Sequence, residues 1–200
     1  MGNRAIITTR ERKIGLYLHW NGGRDTVEPL LRYCELQGYR PPSSDSYGWA
    51  RICQVVGNFF GGTLSVGIAP YSDDRRMNPG DNGIYVVDGW KIVDRILPYE
   101  GFVEEDEHDF DGMLRALDES MPEAERLGAL LDSTEVATSA LELGDEVWDR
   151  GIDGKYSTHP VVAFDDDGTP LVARYDHDGD YSWNPNNYPH GETCRIVPRK

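Results

Sequence analysis

Polar and apolar residues alternate along the first part of the chain. The runs AIITT and KIGLYLHW are separated by the charged residues RER, and this order predicts a β-hairpin because successive side chains of a strand point to opposite faces. The alternation places Trp20 on the buried face with Leu16 and Leu18, and it places His19 on the opposite face. His19 and Trp20 therefore cannot point the same way while the strand continues.

Two helical patterns and three further strands follow. NGGRDTVEPLLRYCELQGYR predicts a helix that is capped by Asp25 or Thr26, with Asp25 and Glu28 in the form of a capping box. YGWARICQVVGNFF predicts a second helix, LSVGIA a strand, and GIYVVDGWKIVDRIL a hairpin that turns at Asp88 and Gly89. Over residues 1–99 we therefore predict an α+β domain, an antiparallel sheet of about five strands with two helices on one face.

The next segment, residues 100–142, combines helical spacing with many acids. Pro122 breaks helices and separates two apolar stripes. These stripes are Phe110, Met113, Leu114, Leu117 and Met121 before the proline, and Leu127, Leu130 and Leu131 after it. Because such stripes pack against other elements, we predict an acidic helical connector of two helices rather than a disordered tail.

From Leu143 onwards, short β-rich runs alternate with turns rich in Gly, Asp, Asn and Pro. The runs are DEVWDR, HPVVAF, PLVARYD, YSWN and CRIVPR. Short, evenly spaced strands of this kind are typical of a small closed barrel. We predict an SH3-like or OB-like β-barrel over residues 143–200.

The net charge of −15 is concentrated in one segment. Residues 1–99 carry 12 basic and 10 acidic side chains, and residues 150–200 carry 6 basic and 8 acidic ones. Residues 100–149 carry 17 acidic side chains against Arg115 and Arg126 alone. Direct nucleic-acid binding is disfavoured, because phosphate contacts need Lys and Arg.

Composition also bounds the environment of the protein. No apolar run approaches the ~18 residues that cross a bilayer, and MGNRAIITTRERK is too weakly apolar for a secretory signal. We therefore expect a protein of the host bacterial cytoplasm that contacts no membrane. Cys34, Cys53 and Cys194 lack the spacing of a zinc site or a disulfide framework. Cys34 and Cys53 fall on apolar helix faces, where cysteine acts as a small buried hydrophobe.

Known catalytic and cofactor motifs are missing from the sequence. Asp176, Asp178 and Asp180 alternate like the start of a calcium loop, but the glycine and the twelfth ligand do not match, and turn chemistry explains the Asp-Gly pairs. His177 and His190 lack metal-ligand spacing. No nucleophile elbow or phosphate loop is present. We predict no metal, no cofactor and no catalytic residue.

The turn HWNGG could still hold a ligand, because loops at strand ends often carry binding sites. The polar residues available for such a site are Arg4, His19, Asn21 and Arg24. The simpler interpretation is a structural joint between the second strand and the first helix.

The opening of the chain carries a family resemblance. Met1-Gly2-Asn3-Arg4 leads into the first predicted strand, and His19-Trp20-Asn21-Gly22 ends the second. These residues resemble a loose group of uncharacterised bacterial and phage proteins that open with Met-Gly-Thr-Arg and carry Gln-Trp-Asp-Gly at the second place. The resemblance covers about residues 1–40, and this chain differs from it at Asn3, His19 and Asn21. It implies a gene of phage or prophage origin and no particular chemistry.

Acidic phage proteins of this size include inhibitors of host defence, such as anti-CRISPR and anti-restriction proteins that mimic DNA. By this analogy of charge and origin, the leading hypothesis is a non-enzymatic, phage-derived interaction protein. It would inhibit a basic nucleic-acid-binding protein of the host through an acidic, DNA-mimicking surface. The partner-binding residues would be Glu104, Glu105, Asp106, Glu107, Asp109, Asp111, Asp118, Glu119, Glu123 and Glu125.

Other interpretations of the same sequence stay open. A solvated helical face explains the run of acids without any partner. A small hydrolase-like enzyme with its site at the turn of His19 and Asn21 is the alternative from another class. A phage structural or assembly component is a third hypothesis, and it predicts self-association.

Overall fold

The structure is a computed structural model of the 200-residue chain. It describes residues 2–42, 46–62, 65–104, 108–151, 153–175, 181–182 and 193–199. The chain forms two compact units, Met1–Arg126 and Leu127–Lys200. Both contain a sheet, and the described helices are α1 (Arg24–Leu36), α2 (Ser46–Phe60), α3 (Asp74–Met77) and α4 (Phe110–Ser120). The predicted α+β class is confirmed.

The first unit is built on a five-stranded sheet with the order β3-β2-β1-β4-β5. Its strands are β1 (Ala5–Thr9), β2 (Ile14–Leu18), β3 (Val66–Pro70), β4 (Ile84–Asp88) and β5 (Lys91–Ile96). The predicted hairpins β1–β2 and β4–β5 are confirmed as antiparallel pairs. The central strands β1 and β4 run parallel, however, with Ile7 opposite Tyr85. The sheet is therefore mixed and not antiparallel throughout, because the segment after β3 crosses over before β4 begins.

Helices α1 and α2 confirm the two helical patterns of the first domain, with one correction at the start of α1. Gly23 is the N-cap of α1, and no side chain caps the helix. The predicted capping box of Asp25 and Glu28 is wrong, because the Glu28 carboxylate instead accepts a hydrogen bond of 2.6 Å from Nε of Arg24. In the predicted loop after β3, α3 forms one short helix that Asp73 caps by accepting from the Arg76 amide.

The acidic segment is divided between the two units. Helix α4 matches the first apolar stripe and packs against α1 and α2 in the first unit. The second predicted helix forms only a 3-10 helix at Gly128–Asp132, in the second unit. Gly128 has a φ of +55°, which lies outside the α-helical region and prevents a regular helix from starting there.

The second unit contains an antiparallel sheet with the order β6-β12-β7-β8-β9 and a separate pair, β10-β11. Its strands are β6 (Thr134–Ala137), β7 (Glu146–Arg150), β8 (Tyr156–Phe164), β9 (Pro170–Val172), β10 (Arg174–Tyr175), β11 (Tyr181–Ser182) and β12 (Thr193–Ile196). Among the residues that the structure describes, β6 and β9 are open edges and no closed barrel forms. Its buried core is Leu141, Val147, Val161, Cys194 and Ile196.

Candidate functional site

The acidic segment does not present all of its carboxylates to solvent. Glu104 accepts a hydrogen bond of 2.6 Å from Arg95, and its other oxygen lies 3.9 Å from Nη1 of Arg24. The side chain of Glu104 is only 25% exposed. Its negative charge is therefore largely balanced within the first unit. Glu105, Asp106 and Glu107, which were predicted to bind the partner, lie outside the described residues.

Two further members of the predicted set have structural contacts on α4. Asp118 is 6% exposed, and its Oδ1 atom accepts a hydrogen bond of 2.8 Å from the Tyr33 hydroxyl of α1. Asp109 caps α4 by accepting from the amide of Gly112 at 2.8 Å. The carboxylate of Asp118 is thus directed toward α1 and not toward solvent.

Beyond the exposed cap residue Asp109, four exposed members of the set define what we call the acidic face: Asp111 and Glu119 on α4, and Glu123 and Glu125 in the 3-10 helix that follows it. Asp111 and Glu119 lie two turns apart on α4, and Arg115 lies between them on the same stripe. Arg126 donates to the carbonyl oxygens of Met121 and Glu119. Two arginines thus accompany the four carboxylates of the acidic face, which is less negative than the sequence count suggests.

The possible ligand set of the HWNGG turn is only partly brought together. Arg4 holds Asp81 through Nε at 2.7 Å and Nη2 at 3.0 Å, and this contact lowers the pKa of the Asp81 carboxyl. The backbone of His19 lies near the side chain of Arg4, since a Cβ built on Gly2 would meet both Cγ of Arg4, at 3.1 Å, and the His19 carbonyl oxygen, at 3.2 Å. Nδ1 of His19 shares a hydrogen bond of 2.7 Å with the Tyr17 hydroxyl.

The remaining residues of the turn serve other purposes. Strand β2 ends at Leu18, and Trp20 is 44% exposed with its ring edge-on to His19 at 4.7 Å. The prediction that Trp20 is buried is therefore wrong, because the chain bends before the alternation reaches it. Asn21 adopts a left-handed φ of +53° that turns the chain. Arg24 pairs with Glu28 of its own helix.

A polar cluster that no sequence pattern predicts surrounds the start of α1. Arg95 of β5 lies over the Tyr85 ring at 3.6 Å, and it also donates to Glu104 and to the Asn82 carbonyl oxygen. His108 lies 3.7 Å from Glu28. Nε of Arg95 and Nδ1 of His108 are buried and have no hydrogen-bond partner among the described residues. The only sequence signal was a charged residue within β5, and its partners are distant along the chain.

A shallow groove lies beside α1, with a volume of about 290 Å³. Its lining alternates apolar and charged side chains: Glu28, Leu31, Arg32, Glu35, Trp90, Lys91 and Ile92. Arg4, His19 and Asn21 do not line this groove, so it does not provide the pocket that the enzyme hypothesis requires at the turn.

The second unit has an ion pair between a buried carboxylate, Asp145 at 6% exposure, and a partly exposed arginine, Arg199 at 43%. Asp145 accepts hydrogen bonds from Nε and Nη2 of Arg199 at 2.9 and 2.8 Å, and these bonds hold the pKa of the Asp145 carboxyl below its ordinary value. Asp165 accepts from the amides of Asp167 and Thr169, as expected for turn chemistry. The other candidate ion loop, Asp176 to Asp180, lies outside the described residues, as do His177 and His190.

The described residues form neither a metal cluster nor a membrane-spanning helix. No group of three or more His, Cys, Asp or Glu side chains there could hold a metal ion. No helix in that part of the chain is both long and apolar enough to cross a membrane. Burial raises the pKa of the Cys34 and Cys53 thiols, which disfavours the reactive thiolate at both positions.

Comparisons with protein-family models, with curated protein sequences and with solved structures found no match to this chain.

Proposed function

We propose that this chain is a phage- or prophage-derived interaction protein that inhibits a basic, nucleic-acid-handling protein of the bacterial host. The binding surface would be the acidic run from Glu104 to Asp111 together with the acidic face. The observation that carries this proposal is the location of the net charge of −15, because residues 100–149 alone hold 17 acids and 2 basic residues.

Two anchored positions favour the run as a presented surface. Glu104 is held by Arg95 at one end, and Asp109 caps α4 at the other. Both anchors belong to the packed first unit. Carboxylates presented next to these anchors would attract a protein that binds phosphates with Lys and Arg, and would exclude its nucleic acid.

The direct test is capture of partners from a bacterial lysate at low and at high salt, followed by competition with duplex DNA. A DNA mimic should capture a nucleic-acid-handling protein at low salt, and both salt and duplex DNA should release it. The variant Glu105→Gln/Asp106→Asn/Asp111→Asn should weaken capture by at least about tenfold. The control removes three charges from exposed acids of the second unit, as Asp153→Asn/Asp166→Asn/Asp167→Asn, and should leave capture unchanged.

The proposal fails if no nucleic-acid-handling partner is captured. It also fails if capture ignores salt, or if both triple variants weaken it equally. In the last case net charge alone would explain the association, and no particular surface would be involved.

The alternative function, a small hydrolase-like enzyme at the turn, is supported only by the proximity of Arg4 and His19. His19 would act as the base. If the enzyme proposal holds, His19→Ala should abolish hydrolysis of a panel of ester and phosphoester substrates.

We also propose that the second unit completes a small barrel of the SH3-like or OB-like kind. Its short antiparallel strands support this, and a crystal structure of the full chain tests it.

A further inference from the structure

The two edges of the first sheet differ in how well they are protected. Edge strand β5 contains Lys91, Asp94 and Arg95, and its pairing with β4 has a bulge between Val86 and Val87. Charges and bulges of this kind discourage the addition of another strand. Edge strand β3 has the sequence VGIAP, with no charged residue. Its middle residue, Ile68, is 61% exposed.

The pairing of β3 with β2 shows which of its backbone groups face outward. His19 donates its N–H to the Ser65 carbonyl oxygen at 2.8 Å, and Tyr71 donates to the Lys13 carbonyl oxygen at 2.9 Å. In an antiparallel pair, hydrogen-bonded and non-hydrogen-bonded positions alternate. With the register of Leu16 opposite Ile68, the N–H and C=O groups of Val66 and Ile68 and the C=O of Pro70 point away from β2.

These outward groups form an unused edge. No hydrogen bond from them is found among the residues that the structure describes. Pro70 lacks an N–H, so the edge offers the donors of Val66 and Ile68 and the acceptors of all three residues. An array of alternating backbone donors and acceptors is matched by another extended strand.

We propose that β3 pairs with β3 of a second copy of this chain, in an antiparallel arrangement about a two-fold axis at Ile68. This register overlaps the whole of β3. Each Ile68 N–H donates to the Ile68 C=O of the other copy, and each Val66 N–H donates to the Pro70 C=O of the other copy. Every outward donor is satisfied, whereas the Val66 C=O faces the Pro70 nitrogen of the other copy, which has no hydrogen to donate, and so accepts no bond from that strand.

Two properties favour a second copy over an unrelated strand. The edge is self-complementary, as a two-fold interface requires, and Ile68 would pack beside its symmetry mate on the face that it shares with Leu16. The charge also permits self-association. Residues 1–99, which include β3, carry 12 basic and 10 acidic side chains, so two copies of this half of the chain repel each other only weakly. The interface is small, which predicts a weak, concentration-dependent dimer.

Sedimentation velocity over a range of concentrations tests the proposal. The wild-type chain should shift toward a dimer, twice the chain mass of 22.5 kDa, as concentration rises. Ile68→Lys places like charges side by side, and Ile68→Pro removes an outward N–H and none of the N–H groups that bond to β2. Each should weaken the dimer by at least about tenfold. The matched control is Val93→Lys on β5, another exposed apolar edge residue at 40% exposure, which should leave the dimer intact.

Disulfide cross-linking tests the proposed β3–β3 register without depending on the stability of the dimer. Hydrogen-bonded antiparallel residues have Cα atoms about 5.5 Å apart, a separation that a disulfide spans. Ile68→Cys should therefore form a covalent dimer under mild oxidation, whereas Val93→Cys and the wild-type chain should not. The proposal is overturned if the wild-type chain stays monomeric throughout. A loss of dimer in Val93→Lys equal to that in Ile68→Lys, or equal cross-linking of both cysteine variants, also overturns it.

Discussion

Tyr33 of α1 donates a hydrogen bond of 2.8 Å to Oδ1 of Asp118 on α4, in a buried contact between two helices. Gln37 donates to the same tyrosine oxygen at 2.9 Å. Burial and the Asp118 carboxylate raise the pKa of Tyr33, so its hydroxyl keeps the proton that it donates. A carboxylate of the acidic segment thus stabilises the first unit instead of facing a partner.

This contact predicts opposite results for two neighbouring acids of α4. Asp118→Ala should lower the free energy of unfolding by about 1–3 kcal/mol, because it leaves the buried Tyr33 hydroxyl without its acceptor. Glu119→Ala should change it by less than about 0.5 kcal/mol, because Glu119 is exposed. Urea denaturation followed by circular dichroism measures both. Equal stability of the two variants would contradict the structural role assigned to Asp118.

A second prediction concerns the paired glycines of the HWNGG turn. A Cβ at Gly22 would lie 2.6 Å from the backbone nitrogen of Ala5 and 2.7 Å from the Asn3 carbonyl oxygen. Gly22 also donates to that carbonyl oxygen at 2.7 Å, and its own carbonyl accepts from the Tyr85 hydroxyl at 3.0 Å. Gly22→Ala should therefore cost about 1–3 kcal/mol through overpacking against backbone atoms.

The adjacent glycine supplies the matched control for that substitution. A Cβ at Gly23 would meet the carboxylate end of Asp25, a side chain that can rotate away. Gly23→Ala should cost less than Gly22→Ala in the same urea denaturation experiment. If Gly23→Ala proved the more harmful change, the close approach of this turn to β1 would not be the reason for a glycine at position 22.

The local elements of this fold could be predicted from the sequence, whereas their long-range relations could not. Alternation and helical spacing depend on neighbours along the chain, so the hairpins and the helices α1, α2 and α4 were predicted. The parallel pairing of β1 with β4 joins distant segments and leaves no local pattern. The prediction that Trp20 is buried is wrong because the alternation of the strand ends at Leu18. Asn21 and the two glycines after it are the sequence signal of the turn that follows.

The candidate site shows the same limit. Asp118 lies four residues after Leu114 and three before Met121, so the helical stripe already placed it on the buried side of α4. The number of charges in the segment carries no information about which of them are buried. Its partner Tyr33 lies on another helix, and the Arg95–Glu104 pair likewise joins β5 to a loop. Which acids are neutralised by such contacts is a property of the tertiary structure.

The Asp145–Arg199 pair predicts a pH dependence for the second unit. Its hydrogen bonds lower the pKa of Asp145 in the folded state below the ordinary value, so folding favours the ionised carboxylate. The stabilisation is fully present above the unfolded pKa of about 4 and is lost as the pH falls through the lower folded pKa. Asp145→Asn should therefore be less stable than wild type near neutral pH, and this difference should shrink progressively in acid.

Hydrogen exchange of residues 141–150, measured from neutral pH downwards, tests this pH dependence. The exposed Asp166→Asn is the control, and its exchange should follow that of the wild type. A difference between Asp145→Asn and wild type that stays constant into acid would show that the charge of Asp145 does not stabilise the fold.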